Sequence, residues 1–391
     1  MWNKVSGGAA ACCRTLWRAG FEAWPVGGCV RDLLLGRMPG DFDVTTNALP
    51  QDVLGLFDHT VPTGVKHGTV TVLVDGEGVE VTTLRAEEGY SDARHPDGVR
   101  FGVSLEEDLA RRDFTVNAMA LGRDGQVIDP FGGRADLEAQ LVRCVGDPHR
   151  RFGEDALRML RGVRFGAQLG FALEEETQKA IYDCACKANN LAAERVRVEV
   201  EKTLLSPRPE WVARLFDMGL LAPWYTGEVR GLDGLGRVAC EGSDRWAALC
   251  ACVDDPGGFL TALRSDGRTL RSCVAGHELW RAGLPGDEGQ WRHALARYGP
   301  ESCRAAACMA LCREGGDPLA LLEQVLAAQP CVRVDGLALS GGELERMGFA
   351  GRDIGRVQRK LLEHVLDVPE DNRADRLRRL AGSLSGMGEK P

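Results

Sequence analysis

The spacing of apolar and polar positions changes period along this chain, and the changes divide it into parts. Gly8 to Ala19 carries apolar residues at helical spacing and stops before Gly20, where a helix commonly ends. "FEAWPV" then reads as a strand delivering the pair Gly27 and Gly28. A short helix follows, closed by the run Leu33 to Leu35, and the turn "GRMPGD" leads into a strand bearing "DFD", Asp41 to Asp43. "TTNALPQDVLGLF" supplies a cap and another helix, with Pro50 near its start, where a missing N–H costs little. In "GTVTVLVDGEGVEVTTL" the β-branched residues fall in two runs around "DGEG", the composition of a hairpin. Roughly the first 85 residues thus form a small α/β unit with a mixed sheet.

Between Arg85 and Phe101 the chain turns polar, with Gly, Pro and Asp spread through it, which predicts a long loop and a candidate lid. "SLEEDLARRDFTVNAMAL" predicts a helix with Ser104 and Glu107 in capping-box positions. Asp113 and Asn117, four apart, would share its face beside Arg112, as a site or as a solvated stripe. "VIDPFGGRADLEAQ" reads as a strand, a turn and a helix start. In "RRFGEDALRMLRGVRFGAQLGF" the residues Asp155, Arg158, Arg161 and Arg164 recur every third position, so they run down one side of a helix. Leu157, Leu160, Val163 and Phe165 cover the other side. From about 208 to 328 the pattern is helical without a recognisable motif, and Trp211, Trp224, Trp246, Trp280 and Trp291 read as core rather than base-stacking platforms.

Composition narrows the classes. At 391 residues the chain exceeds one typical domain, and 44% apolar with 27% charged content is that of an ordinary globular protein. A net charge of -9 argues against coating nucleic acid through bulk positive charge, so any such contact is local. The 14 cysteines include no CxxC pair, and Cys303, Cys308 and Cys312 recur at helical intervals, the pattern of core rather than of metal ligands. The start lacks the pattern of a secretion signal, and no apolar run reaches the length of a membrane span. A reducing cytoplasm is the expectation.

Chemistry enters through the carboxylates. On a strand, Asp41 and Asp43 project from one face while Phe42 enters the core. Two such groups persist together most easily around a cation, and Mg²⁺ with nucleotide phosphates is the usual occupant. Gly27 and Gly28 let the backbone approach a phosphate, and Arg31 lies within a helical turn of it. Glu80, on the second hairpin strand, is either a third carboxylate for the metals or a solvated strand residue. His67, in "GVKHGT", reads as a structural hydrogen-bonding residue. Asp155 accepts and Arg158 donates, so together they complement a base edge that carries an exocyclic amine beside an unprotonated ring nitrogen, as in cytosine and adenine. Uracil and guanine would leave buried groups unpaired, at about 1 to 3 kcal/mol each.

These residues resemble the class II tRNA nucleotidyltransferase and poly(A) polymerase family, most closely its bacterial CCA-adding members. The resemblance rests on "GGCVRD" with "DFD", "RRDFTVNA", "DPFGG", "EDALRMLR" and "ERVRVEVEKTLLSP", in order across roughly residues 21 to 207, and on "LALSGGELERMGFAGRDIGRVQRKLLEHVL" near the end. It implies an α/β nucleotidyltransferase (DNA polymerase β-like) head with a mixed sheet over 1–142. Helical neck (143–207), body (208–330) and tail (331–391) domains would follow, the tail anchoring tRNA. It implies that Asp41 and Asp43 hold two Mg²⁺ ions and that Gly28 and Arg31 contact the triphosphate. Arg112 and Asn117 would contact the nucleotide, and Asp113 the ribose. Asp155 and Arg158 would read the base, with Arg161 and Arg164 supporting it and the phosphates. The stretch Asp92 to Pro96 resembles the loop associated with the final adenosine, with His95 where many relatives have arginine.

The function implied is addition of CCA to the tRNA 3′ end from CTP and ATP. The alternatives are A-only or CC-only addition, poly(A) polymerase, and a non-catalytic RNA-binding protein. Arg352, Arg356, Arg359 and Lys360, with Arg373, Arg376, Arg378 and Arg379, are candidate phosphate contacts or ordinary solvated helix faces. No membrane partner is expected, and the oligomeric state is open.

Overall fold

A computed structural model describes residues 1–88 and 98–385. The chain divides into two compact units, Met1–Trp224 and Tyr225–Pro391. The Asp92–Pro96 stretch and His95 lie outside the described residues.

The first unit opens with α1 (Gly7–Arg18), capped by the Ser6 hydroxyl, which accepts from the Ala9 N–H. It is followed by β1 (Ala23–Val26), α2 (Gly28–Leu34), β2 (Asp43–Thr46), α3 (Pro50–Leu56), β3 (Thr60–Gly64), β4 (Thr69–Val74) and β5 (Glu77–Thr83). The hairpin β4–β5 turns on Asp75 and Gly76, both at positive φ, as the Asp-Gly pair favours. Next come β6 (Arg85–Glu88), β7 (Gly98–Phe101), α4 (Leu105–Ala110), β8 (Ala120–Leu121), β9 (Val127–Ile128) and α5 (Gly133–Glu138). Seven strands form one mixed sheet in the order β3-β4-β5-β2-β1-β8-β9, with β2 and β5 parallel and the other neighbours antiparallel. The unit closes with β10 (Leu141–Val142), α6 (Pro148–Glu154), α7 (Leu157–Leu169), β11 (Ala172–Leu173), α8 (Glu175–Cys184), α9 (Ala193–Leu204) and α10 (Val212–Asp217). The mixed-sheet head and the helical remainder are those expected.

Four local expectations need correction. Asp41 and Phe42 precede β2, so the aspartate pair straddles the strand's entrance; Phe42 is buried and Asp41 exposed. The helix carrying Ser104 stops at Ala110, because Phe114 leaves it in an extended conformation to bridge Cys144. Residues 85–88 and 98–101 pair as a two-stranded antiparallel ribbon rather than as plain loop. Asp155 stands in an extended conformation between α6 and α7 instead of on a helix.

α7 is nearly all buried, and Gly166 explains how: a Cβ there would sit 2.1 Å from the Trp211 ring, so only glycine admits the indole. Trp211 is thereby core, as are Trp246 and Trp291, while Trp224 and Trp280 are half-buried.

The second unit is helical: α11 (Gly242–Cys250), α12 (Pro256–Ala262), α13 (Gly267–Ala282), α14 (Glu288–Arg313), α15 (Pro318–Ala327), α16 (Gly341–Arg346), α17 (Arg352–Asp367) and α18 (Ala374–Ser385). Cys303, Cys308 and Cys312 are buried, and no cluster of three or more metal-ligating side chains occurs among the described residues. No described helix is long and apolar enough to cross a membrane.

Candidate active site

In the first unit a cavity of about 620 Å³ gathers all eleven residues singled out from the sequence: Asp41, Asp43, Gly28, Arg31, Arg112, Asp113, Asn117, Asp155, Arg158, Arg161 and Arg164. The strand β1 delivers the glycine turn into it. Gly27 holds φ +81°, and a Cβ there would lie 2.7 Å from Arg112 Nη1, so both the turn and the guanidinium's approach require glycine. Gly28 begins α2, whose first N–H groups have no acceptor within the helix.

Asp43 is half-buried, and its carboxyl is pushed up to about 6. Burial is the main cause; Arg112 opposes it, while Asp41 and Glu80 add repulsion. Glu80 faces Asp43 in the parallel β2–β5 register but is exposed, and among the described residues it joins no metal-ligating group of three. The pair therefore forms a site with surplus negative charge and two carboxylates. Mg²⁺ suits such a donor set, since it binds through one or two carboxylates and completes its octahedron with water and phosphate oxygens.

A polar network spans the floor. Arg31 donates to the Asn117 Oδ1 at 2.6 Å and forks onto Asp32 at 2.9 and 3.0 Å. Asn117 lies 3.4 Å from Asp113, which Arg161 grips through Nε at 2.7 Å and Nη2 at 2.6 Å. Burial alone would raise the Asp113 carboxyl, but Arg161, the Asn117 amide and the Phe114 N–H together outweigh it and hold the group below the usual carboxylate range. Asp113 and Asn117 do meet, across a turn and a short 3-10 helix (Thr115–Asn117) rather than on one α-helical face. Arg112 is largely enclosed, and its Nε has no hydrogen-bond partner among the described residues. An unspent buried donor of this kind is costly unless a ligand accepts from it.

The two base-reading candidates are each held by a neighbour. Asp155 accepts from the Leu157 N–H at 3.0 Å and from Arg195 Nη2 at 2.8 Å. Arg158 sits 2.6 Å from Glu154 and donates to the carbonyl oxygens of Arg111 and Arg151 at 3.1 and 3.2 Å. Burial would raise the Glu154 carboxyl, yet Arg151 and Arg158 bring it below its ordinary value.

The cavity also has walls that sequence reasoning did not single out: Arg85, Glu87, Arg111, Leu157, Phe165, Arg195 and Lys202. Phe165, expected on the apolar side of α7, instead carries the guanidiniums of Arg164, Arg161 and Arg31 at 4.1, 5.4 and 5.5 Å from its ring centroid. Glu87 pairs with Arg85 at 3.2 Å and Arg111 at 3.1 Å. His67 offers its backbone carbonyl, rather than its ring, to Arg85. Arg111 adjoins Arg112 in "RRDF", and Arg195 and Lys202 lie in "ERVRVEVEK"; both motifs were visible, their roles were not.

In the second unit the basic residues divide. Arg356, Arg376, Arg378 and Arg379 pair with Asp353, Asp371, Glu343 and Asp375, while Arg352, Arg359, Lys360 and Arg373 are exposed.

A family model described as the poly(A) polymerase head domain matches residues 23–143. Another, described as a probable RNA- and SrmB-binding site of polymerase A, matches 170–225. A CCA-adding enzyme of Geobacillus kaustophilus (strain HTA426) is 39% identical over 376 residues, spanning 90% of this chain and 89% of that protein. The crystal structure of the Bacillus stearothermophilus CCA-adding enzyme in complex with CTP is similar with a TM-score of 0.84 at 33% identity, over 96% of both chains. The Thermotoga maritima CCA-adding enzyme complexed with tRNA-CCA shares the fold, with a TM-score of 0.64 at 20% identity over 96% of this chain and 94% of that one.

Proposed function

We propose that this chain, which belongs to the family of the CCA-adding enzymes, extends the 3′ end of tRNA with C, C and A from CTP and ATP, without a nucleic-acid template. The observation that carries this reading is the single cavity in which two carboxylates, a glycine turn and an acceptor–donor pair converge. The nucleotidyltransferase family uses divalent metal ions, and we take Mg²⁺ to be the ion here, held by Asp41 and Asp43. Bound there, such ions would lower the pKa of the primer 3′-hydroxyl and would offset the charge of the departing pyrophosphate.

The chain's own residues do the rest. The Gly27–Gly28 turn and Arg31 take the triphosphate, and the unspent Nε of Arg112 donates to the nucleotide. Asp113, fixed by Arg161 and Asn117, accepts from the ribose. Asp155 and Arg158, held by Arg195 and Glu154, present an acceptor beside a donor, which selects cytosine and adenine over uracil and guanine. The first unit would then comprise head and neck, and the second unit the body and the tRNA-anchoring tail, with Arg352, Arg359, Lys360 and Arg373 exposed for phosphates. A tRNA substrate and cysteines that are free rather than disulfide-bonded among the described residues suit a reducing cytoplasm.

The test uses tRNA ending at the discriminator base, at C, or at CC, with CTP and ATP supplied separately and together, followed by sequencing. CCA on all three primers is the expected product. ATP use on the CC form alone would overturn full CCA addition, and long A tails on unrelated RNA would identify a polymerase instead.

A further inference from the structure

A second cavity, of about 490 Å³, opens on the first unit and shares no lining residue with the candidate active site. Trp2, Ala10, Arg14, Trp17, Arg18 and Arg123 line it. The two indoles meet edge to face, 5.2 Å between centroids and 74° between planes. Each is pinned through its N–H: Trp2 donates to the Gly122 carbonyl at 2.7 Å, Trp17 to the Ala23 carbonyl at 3.1 Å. The Arg123 guanidinium lies 5.0 Å from a Trp17 ring centroid. Arg14, Arg18 and Arg123 are exposed, and none of the three makes an ion pair among the described residues. Three uncompensated cations thus cluster around fixed aromatic rings on a chain of net charge -9.

The topology sets this groove apart. β1 starts beside it, where the Ala23 carbonyl holds Trp17, and ends at the Gly27 turn of the catalytic cavity. At about 3.3 Å per residue, roughly 13 Å of strand lies between the two.

We propose that the groove binds a single-stranded RNA segment other than the 3′ end. A base packs on the tryptophan faces, and flanking phosphates meet Arg14, Arg18 and Arg123. Indole faces accept any base by stacking, guanidiniums fit phosphate oxygens, and the two together are how single strands are held without base-edge readout. RNA is preferred over other polyanions because it is the substrate class of the proposed function, on which this choice rests. An acidic protein surface would use the arginines without stacking on the rings, and a membrane surface is separated from RNA by the flotation arm of the test below.

The full-length chain is compared with an Arg14→Glu, Arg18→Glu, Arg123→Glu variant. All three side chains are exposed and lie outside the catalytic cavity, so addition of CMP to an acceptor minihelix stays within twofold of the parent. The probe is a 4-thiouridine single-stranded RNA octamer. In the parent it crosslinks to peptides bearing Trp2 or Trp17; in the variant that crosslink falls at least tenfold. The slope of log affinity against log salt falls by about 2, at roughly 0.7 per phosphate over three contacts. The Arg→Gln triple variant reproduces both losses. Crosslinks confined to the catalytic cavity, or an unchanged slope, would overturn the proposal. So would arginine-dependent flotation with phosphatidylserine vesicles in the absence of a groove crosslink. Failure of CMP addition in the parent would refute the proposed function and leave the crosslink result standing.

Discussion

On α7 the Arg164 guanidinium lies 2.6 Å from Glu199, a residue of α9, and the two side chains are 9% and 5% exposed. On α17 Arg356 reaches Asp353, one turn earlier on its own helix, with 58% and 57% of the side chains in solvent. Both helices present basic residues at helical spacing, and in the amino-acid sequence they look alike. Desolvation separates them. A buried charge must be matched by a partner fixed elsewhere in the fold, so the α7 arginines are committed to positions that a ligand would find prearranged. An exposed pair exchanges readily with water and contributes little, so its arginine stays available for a polyanion.

The contrast can be broken from the acidic side first. Asp43→Asn should lower nucleotidyl transfer at least a thousandfold, about 4 kcal/mol at 1.36 kcal/mol per tenfold, with single-turnover kinetics as the measure. The same change should stabilise the metal-free fold at pH 7. The Asp43 carboxyl rises from its ordinary value of 3.8 to about 6, so its ionised form costs the fold above that pH. The cost is relieved as pH falls through 6 and is gone below 3.8, so the stabilisation should be largely lost by pH 4. Thermal melts in chelator at the two pH values check this. An equal gain at both would mean that Asp43 is not strained in the folded state.

Glu199→Ala comes next, leaving Arg164 buried without its partner at a cost of about 3 kcal/mol in urea unfolding. Arg195→Ala should act on fidelity more than on stability. Freed of its 2.8 Å contact, Asp155 loses its fixed direction, and UTP misincorporation should rise about tenfold, or about 1.4 kcal/mol. Unchanged discrimination would show that the Leu157 N–H alone orients the carboxylate. Smallest is Arg356→Ala, expected to shift stability by at most about 0.5 kcal/mol while weakening tRNA binding in a salt-dependent way.

Local physics explains what was legible in the chain and what was not. The carboxylates at Asp41 and Asp43, the glycine turn and the spacing of Asp155, Arg158, Arg161 and Arg164 are short-range features, and each lines the cavity. The helix predicted through Asp113 and Asn117 failed because a tertiary bridge from Phe114 to Cys144 overrode local propensity. Arg195, Glu199 and Lys202 stayed hidden for a different reason. Their segment alternates charged residues with valine, a strand-like period, yet α9 is helical and its inward face is set by packing on α7. Phe165 was assigned to the wrong side because an aromatic ring next to arginine in sequence gives no sign that it will be used as a surface for arginines.

That ring bears on timing. Phe165 fixes the directions of three guanidiniums whose counter-ions, Asp32, Asp113 and Glu199, partly cancel them. The field that reaches an incoming anion therefore comes from the cavity as a whole, whose lining carries nine basic side chains against five carboxylates. A nucleotide triphosphate would be drawn in before it touches a wall and would find the cations already in place. Capture should therefore slow steeply as ionic strength rises, whereas release, governed by short contacts at the base and ribose, should hardly notice the salt.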